Sequence, residues 1–356
     1  MRSPLKPSPL DVLAGPEALA ELRDGGLAPE RVRVLIGASG GPKWLALVGL
    51  DRVLFPWLLS GARAPVHAVA SSIGSWRFAS LCTRAPLAAL DRFQEAYIEQ
   101  RYRPSPSALE VTREGERIMD ALLGDDGVRP LVDHAAIRLH IVTARFRHLG
   151  ALEGRGQLLG LGLAALANAL HRRALGSCIE RVVFDAQGDS GPFAPWGSLP
   201  TRHVRLSEQN ARAALAASAA IPRVMAGVRD PSGAPPGVYR DGGVADYHFG
   251  ESIDPAEGIA LYPHFYSHMV PGWFDKPLRW RRTRGLRRVV LLAPSREHVA
   301  ALPRGRIPDR ADFVRMSDSE RIAAWRVVVA MSARLGEAFG ELVSSGRIGA
   351  HARPLL

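Results

Sequence analysis

The most constraining feature of this chain is a repeated switch of pattern near its start. A short β-branched, apolar run, Val32–Ile36, ends in a Gly/Ser cluster and is followed by a helical stretch over Lys43–Leu59. A second run, Pro65–Ala70, leads straight into Ser71, Ser72 and Gly74. Apolar strands that alternate with helices must pair in parallel, each helix carrying the chain back across a sheet face. The rhythm therefore predicts an α/β fold: a mostly parallel central sheet with helices on both faces. Further strands are expected at Ile137–Ala144, Arg181–Phe184, Thr201–Leu206, Ile259–Leu261 and Arg288–Leu292. Helices are expected at Pro16–Leu22, Pro86–Arg101, Gln157–Leu175, Ser207–Ala217 and Ser319–Val343. In the last of these, Ile322, Trp325, Val329, Leu335 and Phe339 make one apolar stripe suited to packing on the domain body.

With 356 residues, 47% of them apolar and 23% charged, the chain can bury one large core without staples. Residues 1–15 are Pro-rich and expected to be irregular, and residues 16–356 are expected to form a single domain. Cys82 and Cys178 have no metal-type spacing and suit a reduced, cytoplasmic setting. No apolar run is expected to reach the roughly 18 residues of a membrane span. The N-terminus lacks the apolar stretch of a secretory signal. A net charge of +11 favours anionic partners, so peripheral contact with a membrane surface stays open.

Three segments carry chemistry. In Ala70-Ser71-Ser72-Ile73-Gly74, small residues stand two before and two after Ser72, as a nucleophile elbow between strand and helix requires. The same segment could also be an ordinary strand-to-helix turn with a serine cap. In Gly37-Ala38-Ser39-Gly40-Gly41-Pro42-Lys43, a glycine-rich turn after the first strand exposes backbone N–H groups to an anion. Pro42-Lys43-Trp44 lacks the Ser/Thr of a nucleotide P-loop, and the glycine spacing does not fit a dinucleotide fingerprint. A transient oxyanion remains: Gly40 and Gly41 could donate to it, with Lys43 adding positive charge. In Tyr239-Arg240-Asp241-Gly242-Gly243, a carboxylate sits at a tight turn, either as a plain turn residue or as a base able to approach a hydroxyl closely.

Taken together, the glycine loop, the small-x-Ser-x-Gly elbow, Ala217-Ser218-Ala219-Ala220-Ile221-Pro222 and the later Asp-Gly-Gly resemble the patatin-like phospholipase family, in order and context, over roughly Arg31–Phe249. The resemblance implies a three-layer α/β/α sandwich and a serine acyl hydrolase of lipid metabolism that cleaves carboxylic esters of phospholipids or lysophospholipids. It implies Ser72 as nucleophile, Asp241 as its only catalytic partner, Gly40 and Gly41 as the oxyanion hole, and support from Lys43, Gly74, Gly242 and Gly243. It implies no cofactor, and no metal-ligand spacing is present in the sequence. The chain departs from the family pattern at Ala38 and Ser39, where glycine-loop members carry Asp-Gly, at Lys43 in place of Arg, and at Ala70 in place of Gly. These departures weaken the reading of substrate more than that of mechanism.

Two other readings compete. His248 and His264 follow Asp241 in the Ser…Asp…His order of a triad esterase. A degenerate hydrolase could also hold a lipid in the same pocket without catalysis. Lys276, Arg279, Trp280, Arg281, Arg282, Arg284, Arg287 and Arg288 form a basic segment with an interleaved aromatic, read either as a solvated loop or as a docking patch for anionic membrane. No nucleic-acid fold accompanies it, so no nucleic-acid partner is expected.

Overall fold

The computed structural model describes residues 8–61, 63–186, 191, 197–249, 253–278, 280–281, 283 and 286–355. Among these, eleven strands join one sheet. They are β1 (Leu10–Ala14), β2 (Val32–Gly37), β3 (Val66–Ser71), β4 (Ile137–Phe146), β5 (Ile179–Asp185), β6 (Thr201–Arg205), β7 (Val228–Arg229), β8 (Val238–Asp241), β9 (Ile259–Pro263), β10 (Val289–Pro294) and β11 (Arg353–Pro354). The order is β11-β1-β10-β9-β2-β3-β4-β5-β6, and β8, with β7 beyond it, also pairs with β4. Strands β10, β9, β2, β3 and β4 are mutually parallel. All residues of β10 and β9 are buried, as expected of strands covered on both faces. The molecule is an α/β sandwich with a mostly parallel central sheet flanked by helices.

β4 positions the site. Its residues His140–Phe146 pair along one edge with β5. Its other edge is shared: β3 runs parallel along Ile137–Val142, and β8 runs antiparallel along Thr143–Phe146. Ser71 lies opposite Val142 and Asp241 opposite Thr143, so the ends of β3 and β8 meet head to head at adjacent positions of one strand. Residues far apart in sequence are thereby brought to one point by backbone register alone.

The structure revises several expectations. The N-terminal fifteen residues are not all irregular: β1 pairs antiparallel with β10, burying Leu10, Val12 and Ala14. The alternation in Leu-Asp-Val-Leu-Ala is a strand pattern, masked in sequence by the prolines before it. The Lys43–Leu59 helix begins as a 3₁₀ turn over Gly41–Leu47 and becomes α-helical over Val48–Gly61. Contrary to the reading of apolar runs, Gly41–Gly61 is long and apolar enough to cross a membrane. Here it is a core element. Its Asp51 is buried in a two-pronged pair with Arg77, at 2.5 and 2.7 Å. Gly49 donates its N–H to Ser332 of the helix Asp318–Ser344 at 2.8 Å. A methyl on Gly49 would lie 2.3 Å from the Ser332 backbone, so only glycine allows the two helices this approach. On the same long helix Ile322, Trp325, Leu335 and Phe339 are buried as the stripe predicts, and Val329 is partly buried. A helix over Ala108–Leu123, capped by Ser107, was not expected from the sequence.

Candidate active site

Ser72 stands between β3 and the helix Ile73–Leu81, with φ 53° and ψ −132°. That backbone conformation is rare for any residue with a side chain and is characteristic of functional turns. The surroundings enforce it. A methyl at Gly74 would sit 2.4 Å from the Gly37 carbonyl oxygen, so the helix leaves the sheet at a distance only glycine permits. Ala70, opposite Gly37 in register, is tolerated because the facing position has no side chain of its own. Ser72 occupies the helix N-cap, yet its hydroxyl makes no capping bond. It donates instead to Asp241 Oδ2 at 2.7 Å, across 169 positions of sequence. The simple cap reading is therefore not what the side chain does.

Asp241 ends β8, where the chain enters the turn Gly242–Val244. Its second oxygen, Oδ1, accepts the Gly243 N–H at 2.7 Å, and its own N–H donates to the Ala220 carbonyl at 3.0 Å. Both turn glycines are required by crowding. A methyl at Gly242 would meet the Val142 carbonyl oxygen at 2.1 Å, and one at Gly243 would meet Ser39 Oγ at 2.4 Å. Burial raises the Asp241 carboxyl to about 6, opposed by the hydrogen bonds from Ser72 and Gly243 and by the positive charges of Arg310 and Lys276. The carboxylate is thus ionised at neutral pH and close enough in proton affinity to serve as a general base.

Three further serines hold the segments together. Ser39 of the glycine loop donates to Ser71 at 2.7 Å, and Ser71 donates to the Asp246 carbonyl at 2.7 Å. That relay joins the glycine loop, the elbow and the Asp-Gly-Gly turn. Ser218 accepts the Ser72 N–H at 2.9 Å and donates to the Val142 carbonyl at 2.7 Å. Asp246, five residues after Asp241, is anchored by a two-pronged pair with buried Arg181 at 2.6 and 2.8 Å.

A small cavity of about 140 Å³ lies over the pair. Its walls include Gly40, Gly41, Ile221, Pro222, Tyr247 and Trp273. Among the described residues, neither the Gly40 nor the Gly41 N–H donates to another protein group, so both remain available to a ligand. Gly41 has φ 55°, a left-handed conformation suited to glycine. Gly40 is held against Phe265, whose ring would lie 2.6 Å from an added methyl. Lys43 also lines the cavity, but its charge is taken up by an ion pair with Asp309.

The structure brings Ser72, Asp241, Gly40, Gly41, Lys43 and Gly243 to one cavity, with Gly74 and Gly242 packed immediately behind. His248 and His264 are not brought there. Among the described residues no histidine lines the cavity, and the two rings pack edge-to-face on each other at 4.4 Å. The basic segment is described in part. Lys276 faces the cavity, Arg281 pairs with Asp275 at 3.0 Å, and Arg288 pairs with Glu17 at 2.9 Å. Arg287 pairs with Glu17 as well. Trp280 is exposed, and Arg279, Arg282 and Arg284 lie outside the described residues. Each described arginine of the segment, Arg281, Arg287 and Arg288, pairs with a carboxylate of the protein. Asp309 and Arg310 are cavity residues the sequence did not mark; they stand on a loop with no motif around it.

No protein-family model matches the chain, and no curated protein shows significant similarity to it.

Proposed function

We propose that the chain is a serine acyl hydrolase of the patatin-like type, acting on carboxylic esters of lipids. The observation that carries this reading is the 2.7 Å hydrogen bond from Ser72 Oγ to a buried Asp241, made by a serine on a strained strand-to-helix turn. An activated nucleophile needs a base within reach and a developing negative charge needs fixed donors. Both requirements find candidates in one cavity.

In this mechanism Asp241 Oδ2 takes the Ser72 proton as Oγ attacks the ester carbonyl carbon. The carbonyl π electrons move to oxygen, and the oxyanion is met by the Gly40 and Gly41 N–H groups. The tetrahedral intermediate collapses, the C–O bond to the alcohol breaks, and Asp241 returns the proton to the leaving alkoxide. Water then attacks the acyl-Ser72 carbonyl and gives its proton to Asp241. The second collapse breaks the acyl–Oγ bond, releases the acid and restores the Ser72 hydroxyl with the proton held by Asp241. Oδ1, bonded to Gly243, keeps the carboxylate aimed during both halves.

A triad finds less support. Both Asp241 oxygens are occupied by Ser72 and Gly243, and His248 and His264 bond elsewhere. Intact-mass analysis after treatment with a fluorophosphonate tests the proposal. A single adduct on Ser72 that forms far more slowly in Asp241→Asn is expected. Absence of an adduct removes the hydrolase reading and leaves the non-catalytic one, whereas equal rates in both proteins remove Asp241 as the base.

A further inference from the structure

The helix Gly154–Leu170 faces the opposite way from an ordinary surface helix, with its polar side chains turned inward and its leucines outward. Gln157 and Asn168 are 1% and 0% exposed. Asn168 donates to Asp275 Oδ1 at 2.6 Å, and its carbonyl accepts from Arg281 at 2.9 Å. Leu158, Leu159, Leu163, Leu166 and Leu170 are 53% to 76% exposed. From Leu158 onward every exposed residue of the helix is Leu, Gly or Ala. At about 100° per residue, these positions spread over roughly 160° of the helix surface. The helix cannot roll to hide them. A methyl on Gly160 would lie 2.3 Å from the Gly150 nitrogen, and Asn168 is tied to Asp275. A contiguous apolar patch held outward by packing marks a surface of interaction.

We infer that this leucine face docks on a bilayer with anionic headgroups. The surface lies on a different element from the basic segment Lys276–Arg288 and does not rest on the hydrolase reading of Ser72. Its margins name the occupant. Arg155 stands exposed in the first turn and Arg173 just beyond the last, and among the described residues neither forms an ion pair. No acidic residue lies between them. Trp280 is 72% exposed and precedes Arg281, whose guanidinium bonds the Asn168 carbonyl, so it stands near the C-terminal end of the helix. Leucines between flanking arginines, with a tryptophan at one end, match the change from hydrocarbon to headgroup at a bilayer surface. A seam between two copies of this chain calls for a narrower apolar stripe with a polar rim. Pairing of the helix in either sense would also set Arg155 and Arg173 against like charges. The inner side of the helix packs on the turn Trp273–Asp275, and Trp273 walls the Ser72 cavity, so a bilayer seated on the leucines lies beside that cavity.

Vesicle co-sedimentation tests the surface, with the full chain carrying Ser72→Ala so that hydrolysis cannot alter the lipid. The vesicles are pure phosphatidylcholine, or equal parts of phosphatidylcholine and phosphatidylglycerol. The anionic vesicles should bind the protein at least about tenfold more tightly than the neutral ones. Leu163→Gln combined with Leu166→Gln should weaken that binding by about tenfold or more. The thermal unfolding midpoint should stay unchanged, because both side chains already face water. Arg155→Gln and Arg173→Gln should each weaken binding to the anionic vesicles by about fivefold and leave binding to neutral ones unchanged. If the first leucine pair does not fold, Leu159→Gln combined with Leu170→Gln repeats the test. Absence of vesicle binding, or binding that neither leucine pair weakens, overturns the inference. Equal binding to both kinds of vesicle overturns the headgroup assignment. Dimerisation without lipid, lost in the leucine variants and with no vesicle binding, assigns the face to a second copy and overturns the inference as well. None of these outcomes bears on the Ser72 nucleophile, whose fluorophosphonate adduct is read separately.

Discussion

Two buried clusters of titratable and nucleophilic side chains lie near each other in this molecule, and only one opens to the cavity. Ser72 and Asp241 are 6% and 7% exposed, and open to a cavity. His248 and His264 are 1% and 0% exposed and face protein on all sides. Burial moves the titration of both clusters in the direction that keeps each group neutral. It raises Asp241 to about 6 and lowers His264 to about 3, with His248 well below its ordinary value. The difference lies in what the hydrogen bonds leave free. Nδ1 of His248 accepts the Val270 N–H at 3.0 Å, and Nδ1 of His264 lies 2.6 Å from the Tyr266 carbonyl oxygen and 2.9 Å from the Tyr266 nitrogen. Among the described residues Nε2 of each ring is buried with no hydrogen-bond partner. The histidines shape two loops, whereas the Ser72 proton has one acceptor and an open side facing the cavity. Burial and a shifted pKa mark a functional candidate only when access accompanies them.

The contrast can be broken at several points. Ser72→Ala should lower ester hydrolysis by about 10⁴-fold or more and abolish the fluorophosphonate adduct, because it removes the atom that forms the covalent bond. Asp241→Asn should lower kcat by roughly 10²–10⁴-fold, the range for loss of a general base, with the protein still folded by circular dichroism. A residual rate within tenfold of wild type would reassign the base.

The pH profile gives a more graded test. Asp241 works as a base only when ionised, and burial has raised its pKa to about 6. Activity should therefore be level above that value and fall about tenfold per pH unit below it. Because Arg310 and Lys276 favour the ionised carboxylate, replacing either with Gln should move the acid limb to higher pH. A flat profile between pH 5 and 7 on the pH scale, read at about single-unit steps, would separate Asp241 from the rate-limiting proton transfer. Ser218→Ala should cost a smaller factor, about tenfold in kcat, by freeing the Ser72 N–H and the Val142 carbonyl that the hydroxyl ties together. At the low end, His248→Asn and His264→Asn keep a side chain able to hydrogen-bond the loop backbone and should change activity less than about threefold per folded molecule. Loss of activity on the scale of Asp241→Asn in either variant would restore the triad.

The sequence by itself marked the parts of this site whose demands are local. Small residues two before and two after a serine, a glycine run after a strand, and Asp-Gly-Gly at a turn reflect steric limits that act over a few residues. For the same reason β2, β3, β5, β9 and β10 were legible as apolar runs to within a few residues. What the tertiary structure decided is non-local. β8 is only four residues long and has no strand signal strong enough to stand alone. β4 continues to Phe146, two residues beyond its expected end, and the added Arg145 and Phe146 pair with Tyr239 and Val238, the start of the strand that ends in Asp241. Lys276, read from the sequence as part of a solvated loop or a membrane-docking patch, lines the cavity, while Arg287 and Arg288 find the carboxylate of Glu17 from the N-terminal helix. Turn sterics and side-chain periodicity are written into neighbouring residues; strand register and the partner of a charge are set by which distant segments the packed sheet places side by side.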